Sequence, residues 1–375
     1  AISRHAHALG CHMRGPTKTT KLFLIMRNQY LNAEHPFAQY VRILGKGKTS
    51  SRSLSLDEAR DAMAMIVAGD VEPVQLGAFL MLLRVKEESP EELAGFVMAA
   101  KNAIEVRRDK ALKSAGLPAI AVDLDWSSYA GKRKHYPWFS LAVKLLCQHG
   151  VRIFMHGASG HTSNRLYTEA VLPSLDLAVC QSWAEASAAI ANNNFAYLPV
   201  RELEPVLDDM IQLRSLLGLR SPVHTLTRLL NPTQAPAVMQ AIFHPAYRES
   251  HQRAALLLGY ANSCVIKGEG GEIERNPDGT CLAKRVANGE PVDEDWPRIL
   301  EQRHNSEDLL SDDVMLRVWH GEQAHEYGEM AIISTVALTL RTLALSDTPE
   351  SAMVMATSLW QQRHNTPQKP LIARP

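Results

Sequence analysis

The sequence is poor in several features that would announce a specialised class of protein. Its 375 residues include five cysteines, Cys11, Cys147, Cys180, Cys264 and Cys281, and no two form a CxxC pair. An odd count without such pairs argues against a disulfide framework and fits a reducing compartment, so a cytoplasmic location is expected. No apolar run approaches the roughly 18 residues needed to cross a bilayer, which argues against a spanning helix and a membrane partner. The apolar stretch at residues 21–26, KLFLIM, is too short for a signal-peptide core, and no small-residue cleavage site follows it. Charge of one sign is also missing: 40 basic and 40 acidic side chains cancel, and the pI is near 7.4. No global field marks a nucleic-acid or membrane partner, so any charged site must come from local asymmetry. There is no internal repeat.

The chain does have the composition of a globular protein, 46% hydrophobic and 21% charged. Its length suggests two or three domains at about 150 residues each. Residues 1–34 read as an arm. Its cluster His5, His7, Cys11 and His12 has metal-ligating chemistry, but an expression scar or a start assigned upstream is the favoured reading. Met26 would then begin the folded part.

Residues 36–106 read as a helical unit. Ala59, Met63, Ile66 and Val67 recur at helical spacing over Asp57–Ala68. Ser55 stands three residues before Glu58, a capping-box pattern, and Gly69 sits where a helix stops. A second helix is expected over Pro73–Val85, and a third from Ser89-Pro90-Glu91-Glu92 to about Ile104. Met63, Met65 and Met81 read as packing residues.

From about residue 119 the pattern changes to strands alternating with helices. Strands are expected over Ala119–Leu124, Val151–His156, Phe195–Pro199 and Tyr260–Ile266. Helices are expected over Trp138–His149, Arg165–Leu172, Trp183–Asn192, 203–218, 222–230, Glu329–Leu345 and Pro349–Gln362. Residues 290–313 read as a long acidic loop. This alternation implies an α/β domain over 119–375 with a mostly parallel sheet. Ligands of such sheets sit at the carboxyl ends of the strands. That places Asp125–Lys134, His156–Arg165 and Lys267–Asn276 on one rim.

Residues 44–100 carry a specific string: Gly45-Lys46-Gly47, Leu54-Ser55-Leu56-Asp57-Glu58-Ala59, Ala62-Met63, Gly69, Gln75-Leu76-Gly77-Ala78-Phe79-Leu80, Arg84-Val85-Lys86 and Glu91-Glu92. It resembles the helical domain of the anthranilate phosphoribosyltransferase family, which the pyrimidine nucleoside phosphorylases share. The resemblance extends in order over residues 36–345. It implies a small helical domain, joined by helices from about 203–230, beside a larger α/β domain holding the substrate cleft.

The family's catalytic loops are altered here. Its glycine-rich loop lets backbone amides wrap a pyrophosphate, which only a backbone without side chains can approach closely. At that place this sequence reads Ser127-Ser128-Tyr129-Ala130-Gly131. The segment that contacts phosphate and metal becomes Pro137-Trp138-Phe139-Ser140. The Lys-His-Gly-Asn-Arg segment becomes Met155-His156-Gly157-Ala158-Ser159, with His156, Gly157 and Ser163 remaining. Of the magnesium-binding acidic pair only Glu274 matches, with Ile273 at the other position. The residues that grip anthranilate correspond to Arg214 and His224.

In place of those loops stand Tyr129-x-Gly131-x-Arg133-Lys134, Thr168-Glu169, Arg220-x-x-x-His224, Gly268-x-x-Gly271-Glu272 and Asn276-Pro277. This pattern resembles a divergent TrpD-like branch, the YbiB type. The resemblance implies homodimers that bind single- and double-stranded nucleic acid without sequence preference and without catalysis. The local charge fits this: residues 107–165 hold ten Lys/Arg against three Asp/Glu, and residues 269–330 hold six against sixteen. A basic stretch interleaved with aromatics suits a backbone-tracking groove, although charge runs are often just solvated loops.

The expected nucleic-acid site is therefore Lys132, Arg133 and Lys134 on phosphates, Tyr129 and Trp138 stacking on bases, and Arg165 and Arg214 extending the surface. Arg220 and Arg228 fit either this surface or a helix exterior. His156, Gly157, Ser163, His224 and Glu274 form a residual cleft. His156 and His224 are read as cleft donors or as structural histidines, and Glu272 and Glu274 as metal ligands or as solvated turn acids. No catalytic residue, cofactor or metal is expected. The alternative is a glycosyl or phosphoribosyl-type transferase with an altered nucleoside or phosphosugar substrate, for which magnesium would return as a cofactor.

Overall fold

The computed structural model describes residues 33–47, 49–307, 312–365 and 369–373. The arm cluster His5, His7, Cys11 and His12 lies outside the described residues.

The helical unit forms on the local signals read above. The Ser55 hydroxyl accepts the Glu58 N–H at 3.2 Å, and the Glu58 carboxylate accepts the Ser55 N–H at 2.8 Å. This reciprocal pair starts the helix Leu56–Ala68, and Gly69 at φ 80° ends it. The next helix runs Pro73–Lys86, with proline in its first turn. The third, Pro90–Ser114, starts with a second capping box at Ser89 and Glu92 and continues well past Ile104. Its added length is docked onto the rest of the chain. Arg107 Nε donates to Glu204 at 2.7 Å, and Arg108 Nη1 donates to the Pro232 carbonyl at 2.6 Å.

The larger part is built on a seven-stranded sheet in the order β3-β2-β1-β4-β5-β6-β7. The strands are β1 Leu124–Ser128, β2 Ile153–Gly157, β3 Phe195–Pro199, β4 Ala237–Ile242, β5 Asn262–Lys267, β6 Cys281–Ala287 and β7 Glu290–Trp296. Strands β1 to β5 pair in parallel, and β6 and β7 add an antiparallel hairpin at one edge.

Three sequence expectations are corrected. The apolar run Ala119–Val122 lies before the first strand, which starts at Leu124 and continues through polar residues. Part of the expected acidic loop is strand β7, whose outward charges suit an exposed sheet edge. The helical stretch expected over 203–218 is broken into Pro205–Gln212 and a single turn at Arg214–Leu217.

Two apolar cores flank the sheet. Phe154, Ala196 and Val238 face one side, packed with Phe79, Phe96, Leu207, Met210 and Leu226 of the helical region. Their neighbours Ile153, Met155, Phe195, Ala237 and Met239 face the other side, against Leu141, Leu145, Val336 and Leu340. This alternation is the two-residue period of a strand buried on both faces. All described loops after β1, β2 and β5 leave the sheet at its carboxyl end, where the expected rim lies.

Candidate functional site

The loop after β1 turns back on itself and is held by three glutamates from the loop after β5. Glu272 is fully buried. Its Oε1 accepts the backbone N–H groups of Ala130 at 2.6 Å and Gly131 at 2.7 Å. Its Oε2 accepts the Ser128 hydroxyl at 2.7 Å, and Ser128 Oγ also meets Thr168 Oγ1 at 2.6 Å. Glu269 Oε1 accepts the N–H groups of Arg133 at 3.0 Å and Lys134 at 2.6 Å. Glu274 Oε2 accepts the Phe139 N–H at 2.9 Å. Consecutive amides of this kind form an anion-binding nest. Here the chain's own carboxylates fill it.

This arrangement revises the expected site. Lys132 is 1% exposed, with Nζ at 2.6 Å from Glu274 and 3.0 Å from Glu269. Burial opposes its charge, but the two carboxylates outweigh burial and hold its pKa above the ordinary lysine value. It is therefore an internal counter-ion and offers no surface to a phosphate backbone. Tyr129 and Trp138 are buried as well, so neither ring presents a face to a base. The Tyr129 hydroxyl meets His156 Nδ1 at 2.7 Å, and His156 Nε2 lies 3.1 Å from the buried Asp125 carboxylate. His156 is thus closed into an internal Asp–His–Tyr chain, the structural role weighed for it. Gly157 follows on β2, where a Cβ would stand 1.9 Å from the Ser128 carbonyl oxygen. Glu272 and Glu274 are buried structural acids, which corrects the reading of solvated turn residues. Of the basic loop, Arg133 and Lys134 stay exposed.

The magnesium pair of the resembled family does not fit these residues. Ile273 is buried and offers no ligand atom, and both Glu274 oxygens are taken by Lys132 and the Phe139 amide.

The structure gathers a different group of charges beside the closed nest. Arg165 Nη1 donates to the carbonyls of Gly131 at 2.9 Å and Ala130 at 3.2 Å. Arg214 Nη1 donates to the His161 carbonyl at 2.8 Å. Arg228 is buried, donating from Nε to His224 O at 3.1 Å and from Nη1 to the Gly271 carbonyl. Arg220 has only a 3.4 Å approach to Thr162 Oγ1. None of the four forms an ion pair among the described residues. Burial pulls the Arg220 pKa down to about 10, helped by Arg165, Arg228 and Arg214. A guanidinium loses part of its basicity only where positive charge is crowded and poorly solvated.

Two histidines complete the group. His161 Nε2 meets the Tyr129 carbonyl at 2.8 Å, and its pKa is pushed down to about 4, mainly by burial. His224 is pushed down to about 3 by burial, then by His161 and Arg220. Its Nδ1 faces the Ser221 carbonyl and its Nε2 is buried without a partner. Arg220, His224 and Arg228 line a cleft with Arg84 and Glu88 of the helical unit and Phe243 and His244 after β4. Ser163 lies exposed on the loop nearby. Arg220 and Arg228, open in the sequence reading, both line this cleft. His161 was missed because a histidine in a Gly-Ser-rich loop carries no periodic signal.

Residues 39–103 match the helical bundle domain of a glycosyl transferase family. The chain is 26% identical over 272 residues to the uncharacterized protein YbiB of Escherichia coli, covering 72% of this chain and 80% of that one. It is also 26% identical over 314 residues to an uncharacterized protein of Aquifex aeolicus, covering 81% and 92%. Among solved structures, anthranilate phosphoribosyltransferase of Thermus thermophilus superposes with a TM-score of 0.67 at 20% identity, covering 87% of this chain and 94% of that one. The Saccharomyces cerevisiae enzyme, in complex with PRPP and Mg, gives 0.68 at 14% identity, covering 88% and 94%. The chain is thus similar to TrpD-like proteins of the glycosyltransferase family 3 superfamily and has the fold of anthranilate phosphoribosyltransferase. Among the described residues no helix is long and apolar enough to cross a membrane.

Proposed function

We propose that this chain is a transferase-type protein that holds a phosphate-bearing nucleoside or sugar in the arginine cleft and does not use a pyrophosphate donor in the manner of the resembled enzymes. The observation that carries the reading is the group Arg165, Arg214, Arg220 and Arg228, none of them ion-paired among the described residues. Uncompensated guanidinium groups at the carboxyl ends of parallel strands suit a phosphate, which accepts paired hydrogen bonds from their planar forks. Glu272 occupying the Ala130–Gly131 amides argues against pyrophosphate in the old cradle.

Thermal-shift screening with ribose 5-phosphate, nucleoside monophosphates, inorganic phosphate and phosphoribosyl pyrophosphate tests this. The monophosphates should raise the melting temperature with or without magnesium. Stabilisation confined to phosphoribosyl pyrophosphate with magnesium would refute it.

A second reading, sequence-blind binding of DNA or RNA by a homodimer, is favoured by one feature. Arg133 and Lys134 are exposed on the loop that borders the cleft. Here the arginines would hold one backbone phosphate while Arg133 and Lys134 neutralise its neighbours. Fluorescence anisotropy of a labelled 30-mer over several salt concentrations separates the two. Nucleic-acid binding should fall with salt and need Arg133 and Lys134, whereas monophosphate binding should not need them.

A further inference from the structure

A second cluster of chemistry-bearing side chains lies apart from the arginine cleft and takes no part in the function proposed above. His135 stands on the loop after β1. His304 and Glu307 stand on the stretch that crosses it, which is pinned there by the Glu307 N–H donating to the Lys134 carbonyl at 2.7 Å. One ligand atom from each of the three lies within 4.8 Å of the others. His304 Nε2 is 2.7 Å from Glu307 Oε1. His135 Nδ1 is buried and has no hydrogen-bond partner. A polar nitrogen left bare in this way is costly unless something else satisfies it.

We propose that His135, His304 and Glu307 bind one divalent transition-metal ion, zinc by preference. Two imidazoles and a carboxylate are the donor set of an open zinc site, with a fourth position left for water or another ligand. Metal–ligand bonds of about 2.0–2.2 Å in a tetrahedron put ligand atoms about 3.3 Å apart. Closing from 4.8 Å to that spacing needs only side-chain rotation.

The surroundings suit the ion. His304 and His135 each stack on the Tyr327 ring, at 4.6 and 4.7 Å, which keeps both imidazoles beside each other. The His304 N–H donates to Asp278 at 2.8 Å. His325 is a positioning residue. Its Nδ1 accepts the Gly328 N–H at 3.0 Å, which leaves the proton on Nε2, 3.4 Å from Glu307 Oε1. A donor of this kind orients a ligating carboxylate. His135 and His304 border a cavity that also holds Lys134, Arg298 and Arg303, so the open position is reachable from solvent.

The test is calorimetric titration of the metal-free full chain with zinc ion alone. It uses the H5A/H7A/C11S/H12A background, so that the arm contributes no competing site. One equivalent should bind. His135→Ala and Glu307→Gln should each weaken it more than tenfold, and His325→Gln by about tenfold with the stoichiometry kept. Zinc should raise the melting temperature of the background chain and leave Glu307→Gln unmoved. Melting of the metal-free variants close to the metal-free parent shows that they fold. Absence of a one-to-one isotherm, or equal zinc affinity in the parent, His135→Ala and Glu307→Gln, would overturn the proposal. No phosphate ligand is present, so either result leaves the arginine cleft untouched.

Discussion

Glu272→Ala is the most informative single perturbation of this fold. The carboxylate holds the Ala130 and Gly131 N–H groups at 2.6 and 2.7 Å and the Ser128 hydroxyl at 2.7 Å, with no exposure to solvent. Ser128 can turn to Thr168 instead, at 2.6 Å. The two backbone amides have no such alternative. Each buried donor left unsatisfied costs about 1–3 kcal/mol. Water entering the vacated space offsets part of that, so the net loss should be about 3 kcal/mol. For a chain of this size that corresponds to roughly 4 °C in melting temperature. Glu272→Gln keeps an acceptor oxygen and should lose only about 1 kcal/mol. Differential scanning fluorimetry reads both. Formate or phosphate should restore the alanine variant in a concentration-dependent way, because a free anion can re-enter the amide nest, and should leave the glutamine variant unchanged. An alanine variant that melts with the parent would refute the reasoning that Glu272 substitutes for an external anion.

Three further outcomes follow from the same geometry. Lys132→Met should destabilise the chain by about 3–5 kcal/mol by leaving Glu274 and Glu269 facing each other unpaired, whereas the R133A/K134A double variant should melt like the parent; denaturation curves check this. Burial pushes the Glu88 carboxyl up to about 7 from 4.5. Folding therefore takes up a proton between those values, and the Glu88 contribution to stability falls as pH rises from about 4.5 to about 7. Glu88→Gln should remove that slope and stabilise the chain at pH 8, by at most on the order of 3 kcal/mol; melting curves at pH 5 and 8 decide it. Val74 and Val85 are exposed on the helix Pro73–Lys86. Light scattering should accordingly give twice the 41.6 kDa chain mass at micromolar protein, and the single mass would rule out the homodimer.

The helical unit was legible because its boundaries rest on local chemistry. Ser55 and Ser89 with their partner glutamates, Pro73 in a first turn and Gly69 at a left-handed stop each act within four residues. Strand β1 was misplaced because Asp125, Ser127 and Ser128 look like loop residues. Asp125 and Ser128 are met by His156 and Glu272, which arrive from other strands and loops. Strand β4 was overlooked because Ala237–Ile242 mixes alanine, methionine and glutamine, none a strong strand former. β7 hid behind the charges that protect a sheet edge.

The site divided along the same line. The resemblance gave Arg214 and His224 as substrate-gripping positions and Glu274 as a magnesium acid; His224 lines the cleft with Arg220 and Arg228, Arg214 donates to the His161 carbonyl nearby, and Glu274 is closed off by Lys132 and the Phe139 amide. Local pattern could not show that Lys132 is internal, because its partners Glu269 and Glu274 stand 137 and 142 residues further along the chain. A run of Lys-Arg-Lys reads as surface until the carboxylates that bury its first member are in view.

Calorimetric titration of ribose 5-phosphate into the parent chain and Arg220→Ala tests the arginine cleft most directly. Arg220 has no ion pair among the described residues and is crowded by three other guanidinium groups, so its removal should leave the melting temperature unchanged or raised. One site per chain is expected, weakened at least tenfold by the substitution. Equal affinity in parent and variant, or no binding to either, would contradict it.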